Sequence, residues 1–270
     1  MDVRQVGGVH CRVVSCRPPW EFEECSTASA TDNRTRDHNS DRLPQAFTAI
    51  SAHHLSMGEN VSVLGATVYG EVATAGGSYQ RFQQGRISFR TDLGPRETVG
   101  PIATRYVAAG GEAGLLGFPV SRPIPLTGGA SASRFERGRI SHHPELGALE
   151  LRDQLAAHYE ALGAEAGALG FPVTGHESAG RGARARFQGG RISWSQETGV
   201  HATRTEIAAR YAELGGETGP LGFPVAQERQ SRSAVWKRPG DRPDRRSDFE
   251  HGSLVLDAST GTVQLLPEQA

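Results

Sequence analysis

Lysine is almost missing from this chain: Lys237 stands alone, and arginine carries nearly all the positive charge. Nor is there a surplus of either sign, with 29 basic against 30 acidic side chains and a net charge of −1. That balance excludes recruitment of nucleic acid or an anionic membrane by a global field. No apolar run reaches the roughly 18 residues that would span a bilayer. The opening stretch, MDVRQVGGVHCRVVSCRPPWEFEECS, lacks the apolar core of a secretory signal, so the chain as written is expected in the cytoplasm. Cysteine is scarce as well: Cys11, Cys16 and Cys25 all precede residue 26, and an odd count argues against a disulfide framework. With His10 they are the right ligand types for zinc, but their spacing matches no recognised site, so no metal and no cofactor are expected. Also absent are a G-x-S-x-G elbow, an H-E-x-x-H pair and a phosphate-binding glycine loop. The stretch GHESAG puts His176, Glu177 and Ser178 side by side, and adjacent loop residues do not face one another as a triad. The chain reads as no enzyme.

Glycine is plentiful instead: 34 residues, about twice the usual share. Much of it sits in a repeat. Leu-Gly-Phe-Pro occurs at 116–119, 169–172 and 221–224, and a degenerate copy, Leu64-Gly65-Ala66-Thr67, lies one step earlier. A second marker follows each copy: RFQQGRIS at 81–88, RFERGRIS at 134–141, RFQGGRIS at 186–193 and DFEHGSLV at 248–255. A helical stripe precedes each: Ile50, His54, Met57; Ile102, Tyr106, Ala109; Leu155, Tyr159, Leu162; Ile207, Tyr211, Leu214. Thr203 and Glu206 have capping-box spacing, and Gly215 is placed to end the last helix.

The unit is thus a helix, a glycine-rich turn, the tetrapeptide, a variable loop and a short β-hairpin centred on F-x-x-G-R-I-S. The fold class is an α+β repeat protein of four such units, at about 43–95, 96–147, 148–199 and 200–265. A unit of this size cannot bury its own apolar face, so the units must stack, into a propeller-like ring or otherwise an open row. Residues 1–42 read as a disordered or misassigned arm. Within the tetrapeptide, Leu169 and Phe171 are two apart and in an extended segment would share a face. Phe118, Phe171 and Phe223 then act as wedges between units, with Phe82, Phe135, Phe187 and Phe249 as core residues of the second marker.

The tetrapeptide, the F-x-x-G-x-I that follows it and the helix ending in L-G-G/A-E-x-G resemble the LGFP-repeat family over residues 43–265. The resemblance implies a module of actinobacterial envelope proteins, appended to mycolyltransferases, esterases or peptidoglycan-acting hydrolases. It would hold them to the wall through arabinogalactan or a related polysaccharide, and five such repeats form a propeller-like disc. By that resemblance the chain belongs at the cell wall or outside the cell. Trp194, Thr198, Gly199 and His201 match the family pattern residue by residue; Phe89 and His142 stand at the Trp194 position in the earlier units.

Candidate ligand contacts follow. Arg86, Arg139 and Arg191 lie on the strand face opposite the isoleucines and so point to solvent or across a cleft, where their N–H forks could grip sugar hydroxyls or anionic groups. Alternatively they pair with Glu112, Glu165 and Glu217, which recur before each tetrapeptide. Trp194 shares the face of Ile192, as core or as stacking platform; His201, just ahead of a helix, caps it or meets ligand. The insertion in the fourth unit carries Arg229, Arg232, Lys237, Arg238, Arg242, Arg245 and Arg246 around Trp236, diluted by Glu228, Asp241, Asp244 and Asp248. It reads as a solvated loop, and nucleic acid is not an expected partner. The functional expectation is a non-catalytic module that binds cell-envelope polysaccharide, with an intracellular protein-interaction scaffold and a small ester or glycoside hydrolase as rivals.

Overall fold

In the computed structural model, residues 48–59, 62–231 and 244–267 are described, all within the body Phe47–Ala270. The cysteines, His10, Arg232, Lys237, Arg238, Arg242 and Trp236 fall outside them.

The helices are α1 (Ala49–Ser56), α2 (Gly100–Ala108), α3 (Asp153–Ala161) and α4 (Thr205–Glu213). Each is followed by a glycine in the left-handed region, Gly58, Gly110, Gly163 and Gly215, with φ of 94°, 96°, 92° and 94°. A Cβ there would be strained, so the chain leaves the helix at a fixed point. The expected capping box is corrected. Thr203 lies in a strand with its hydroxyl buried, and Arg204 takes the α4 N-cap without a side-chain hydrogen bond.

The expected hairpin is also corrected: each unit carries a four-stranded antiparallel meander. The first sheet is β1 (Val72–Thr74), β2 (Gly77–Phe82), β3 (Gly85–Arg90) and β4 (Gly94–Val99). The second is β5 (Ile124–Pro125), β6 (Ser131–Phe135), β7 (Gly138–His143) and β8 (Gly147–Arg152). The third is β9 (Glu177–Ala179), β10 (Gly182–Phe187), β11 (Gly190–Ser195) and β12 (Gly199–Arg204). The fourth is β13 (Arg229–Gln230), β14 (Arg245–Phe249), β15 (Gly252–Asp257) and β16 (Thr262–Leu266). F-x-x-G-R-I-S makes only the central pair of strands. The fourth strand of one unit runs straight into the helix of the next, as β4 does into α2.

Each unit has its own small core. In the second, Ile102 and Tyr106 of α2 meet Leu116, Phe135 and Ile140. In the fourth, Ile207, Tyr211, Leu221, Phe249 and Leu254 repeat it. The tyrosine and the second-marker phenylalanine stack at 4.7, 4.7 and 4.5 Å between centroids in the last three units. His54 and Phe82 do so at 4.3 Å in the first. Helices α2, α3 and α4 pack on their own sheet and also on the sheet before it, which joins the units in series.

Candidate functional site

The tetrapeptide turns about its glycine. Gly65, Gly117, Gly170 and Gly222 have φ of 70°, 70°, 64° and 67°, which favours a residue without Cβ. Their carbonyls accept from the Tyr106, Tyr159 and Tyr211 hydroxyls at 2.9, 2.7 and 2.7 Å, and in the first unit face His54 Nε2 at 3.1 Å. The positive φ corrects the expectation that leucine and phenylalanine share a face. Leu116 enters the core of its own unit, while Phe118 turns back onto the preceding sheet. A Cβ on Gly77 would come within 2.9 Å of the Phe118 ring, and one on Gly182 within 2.8 Å of Phe223. Arg90 and Arg181 cover the outer faces of these rings, each 5.3 Å from the centroid. Phe171 has no such glycine beneath it; it is half-buried and lies 4.9 Å from the His143 ring.

Between units lies a repeated ionic latch. Strands β3, β7 and β11 put isoleucine on one face and Arg-x-Ser on the other, since side chains alternate along a strand. Arg86 Nη1 donates to Glu112 Oε2 at 2.5 Å, and Ser88 Oγ to Glu112 Oε1 at 2.6 Å. Arg139 grips Glu165 through Nε and Nη2 at 2.9 and 2.5 Å, joined by Ser141 at 2.5 Å. Arg191 Nη1 and Ser193 Oγ hold Glu217 at 3.2 and 2.6 Å, with Arg184 Nη1 at 3.1 Å. Each glutamate sits in a short 3₁₀ turn ahead of the next unit's tetrapeptide. The guanidiniums therefore do not face solvent, as the first of the two sequence readings had them; Arg86, Arg139 and Arg191 are 5–7% exposed. Desolvating a guanidinium and a carboxylate is costly unless they pair, and here the strand geometry supplies the pair. In the fourth unit, Ser253 and Val255 stand where the arginine and serine do.

Burial pushes the Glu165 carboxyl up, but its bonds from Arg139 and Ser141 outweigh this and leave it below the usual value. Glu97 behaves likewise: burial raises it, and His53, 2.7 Å away, brings it net below. A carboxylate depressed in the folded state contributes stability above its unfolded value, near 4.5, and loses it as pH falls through the lower folded value. The urea midpoint is therefore expected to fall as pH drops from about 5 toward 3. An unchanged midpoint across that range would rule out these two groups as contributors.

Trp194 is half-buried against the third core. His201 lies in β12, not just before a helix as expected; its Nε2 is 2.7 Å from Thr198 O. Glu177 is taken by Arg184 at 3.0 Å, and among the described residues no hydrogen bond joins Ser178 to His176 or Glu177. Of the insertion, Arg229 and Arg246 pair with Asp248, and Arg245 with Glu206 and Glu228. No group of three or more His, Cys, Asp or Glu among the described residues could hold a metal, and no described helix is long and apolar enough to cross a membrane.

Two clefts occupy equivalent places one step apart. The first, about 420 Å³, lies between the β2–β3 turn and α2, lined by Tyr69, Arg81, Gly100, Thr104 and Val107. The second, about 280 Å³, lies between the β6–β7 turn and α3, lined by Arg134, Arg137, Asp153, Ala157 and Glu160.

A serial repeat of helix, left-handed tetrapeptide and meander, latched Arg-x-Ser to Glu, defines the class of protein. The LGFP-repeat model matches residues 64–114, 116–167 and 169–219, more than half of the chain, and the chain belongs to the LGFP-repeat family. LGFP repeats are a cell-wall-associated family. No curated protein matches the chain. What the residues alone left unread was the serine of G-R-I-S, whose recurrence two positions after each arginine was the available signal.

Proposed function

We propose that this chain is a non-catalytic module that binds cell-envelope polysaccharide, presented at the cell wall. The observation that carries this reading is the repeated cleft: Arg81 and Arg134 hold equivalent places one step apart, so a polymer with a repeating unit meets an arginine at each, with Gly100 and Val107 of the first cleft replaced by Asp153 and Glu160 in the second. Arg86, Arg139 and Arg191, engaged by glutamate, set the spacing of these clefts from within; exposed groups such as Tyr69 and Arg134 make the contacts. Trp194 and His201 belong to a separate part of the third unit. Family membership supports the wall as the place.

The full chain is expected to co-sediment with insoluble actinobacterial cell wall above a heat-denatured control, and Tyr69→Ala with Arg134→Ala to reduce the bound fraction severalfold. Equal sedimentation of native and denatured chain would defeat the proposal. Turnover of an ester or glycoside that disappears in Ser178→Ala would replace it with the hydrolase reading.

A further inference from the structure

The repeat supplies its own internal comparison at one buried position. The strand residue opposite the central isoleucine is Glu97 facing Ile87, Glu150 facing Ile140, and Ala202 facing Ile192. The helix residue three positions after the buried Ile or Leu is His53, Arg105 or His158. In the first unit, His53 Nε2 is 2.7 Å from Glu97 Oε2 with both side chains buried. In the second, Arg105 Nε donates to Glu150. In the third, the carboxylate is gone. Among the described residues, His158 Nε2 meets the amide of the exposed Gln227, at 3.2 Å. Beside Ala202 lies a cavity of about 420 Å³ lined by His158, Leu162, Leu169, Ala202, Arg204 and Gln227, with Glu228 paired to Arg204 at its edge.

We propose that this cavity is a binding site for a carboxylate-bearing sugar, a uronate, whose carboxylate takes the place that Glu97 and Glu150 fill in the other units. The Gln227 amide donates one N–H to His158 Nε2 and the other to Val200 O, so the carboxylate would displace Gln227 from the imidazole and bind with uptake of a proton. His158 Nε2 is then its donor, while the apolar wall of Leu162 and Leu169 meets the C–H face of the ring. His201 stands close enough to His158 to act on it electrostatically, and at the rim Arg204 and Glu228 offset each other, Glu228 being held by Arg204 Nε at 3.6 Å, by the Arg204 backbone N–H and by Arg245 at 2.8 Å. His201 also keeps Nδ1 buried without a partner among the described residues. Burial, then His201, holds the His158 ring below its ordinary value against the opposing bond from Gln227, as fits a site that lacks its counter-charge. The sugar ring rests on the polysaccharide reading above, whereas the carboxylate rests on the comparison between units alone.

The test titrates the full chain with D-glucuronate and with D-glucose, by calorimetry and by NMR of the His158 ring. Glucuronate is expected to bind tighter than glucose by about tenfold or more, the scale of one charge-assisted hydrogen bond. Ala202→Glu, which restores the carboxylate of the other units, is expected to abolish that binding. His158→Gln, which opens no cavity, is a second variant expected to weaken it by about tenfold. Equal affinity for the two sugars, no glucuronate binding, or wild-type binding by both variants would overturn the site. Loss of wall co-sedimentation with glucuronate binding intact would remove the polysaccharide reading alone; the reverse would remove only this pocket.

Discussion

Glu217→Ala is expected to cost about 3–5 kcal/mol of stability, the range for removing one partner of a buried ion pair. Glu217 has no side-chain exposure and Arg191 only 6%. Removing the carboxylate strands the Arg191 guanidinium beneath the Tyr211 ring, 5.2 Å away, and leaves the buried Ser193 hydroxyl without its acceptor. Arg184 loses one of its two partners but is solvated enough to recover. The urea midpoint of the full chain reports the loss. Pairing Glu217→Ala with Arg191→Met separates the latch from its parts: with the charge gone, most of the cost is expected to vanish. A single-variant loss under about 1 kcal/mol would show that water reaches the arginine and that the latch is ornamental.

Phe223→Ala is expected to cost a similar amount, about 3–5 kcal/mol, because a buried ring leaves a cavity as well as lost transfer energy. The ring is 2% exposed and lies on Gly182 of the preceding sheet. The effect therefore falls on the contact between the third and fourth units rather than inside either. Hydrogen exchange is expected to rise in β9 and β10 together with the fourth-unit core, while the first unit keeps its protection. Gly182→Ala approaches the same contact from the other side. Its Cβ would collide with the Trp194 backbone carbonyl as well as the ring, so it is expected to destabilise as strongly and, because the carbonyl clash survives without the ring, to add in part to Phe223→Ala. The half-buried Phe171 is the built-in control: Phe171→Ala is expected to cost less.

The repeat, its register and the first two positions of each helical stripe were legible in the residues, because Ile or Leu is followed four residues on by Tyr or His in every copy; the third position was not, since Leu162 is 39% exposed. So was the helix stop, since only glycine is at ease at a φ near 94°. The outer strands were not. GPRETV, GALELR and GVHATR share a strand position but hardly an apolar pattern, and β5 and β13 are two residues long. Their extended state is imposed by hydrogen bonds to the central pair, so local composition carries little of it. The opposite directions of Leu116 and Phe118 were hidden for a related reason. Extended geometry puts alternate residues together, and one left-handed glycine between them reverses the outcome.

The candidate site divides the same way. Arginine and glutamate recurring at fixed steps were visible and leaned toward pairing, yet solvent exposure stayed open until β3 and the next unit's 3₁₀ turn were placed side by side. The absence of a carboxylate at Ala202 meant nothing in isolation, because its equivalence to Glu97 and Glu150 rests on strand register. Sequence alone therefore determined what repeats and where each helix stops, since these depend on the conformational range and hydrophobicity of single residues. Tertiary structure decided which face each side chain turns to and which charges meet, since those depend on distances between segments 26 to 45 residues apart that only the packed units bring together.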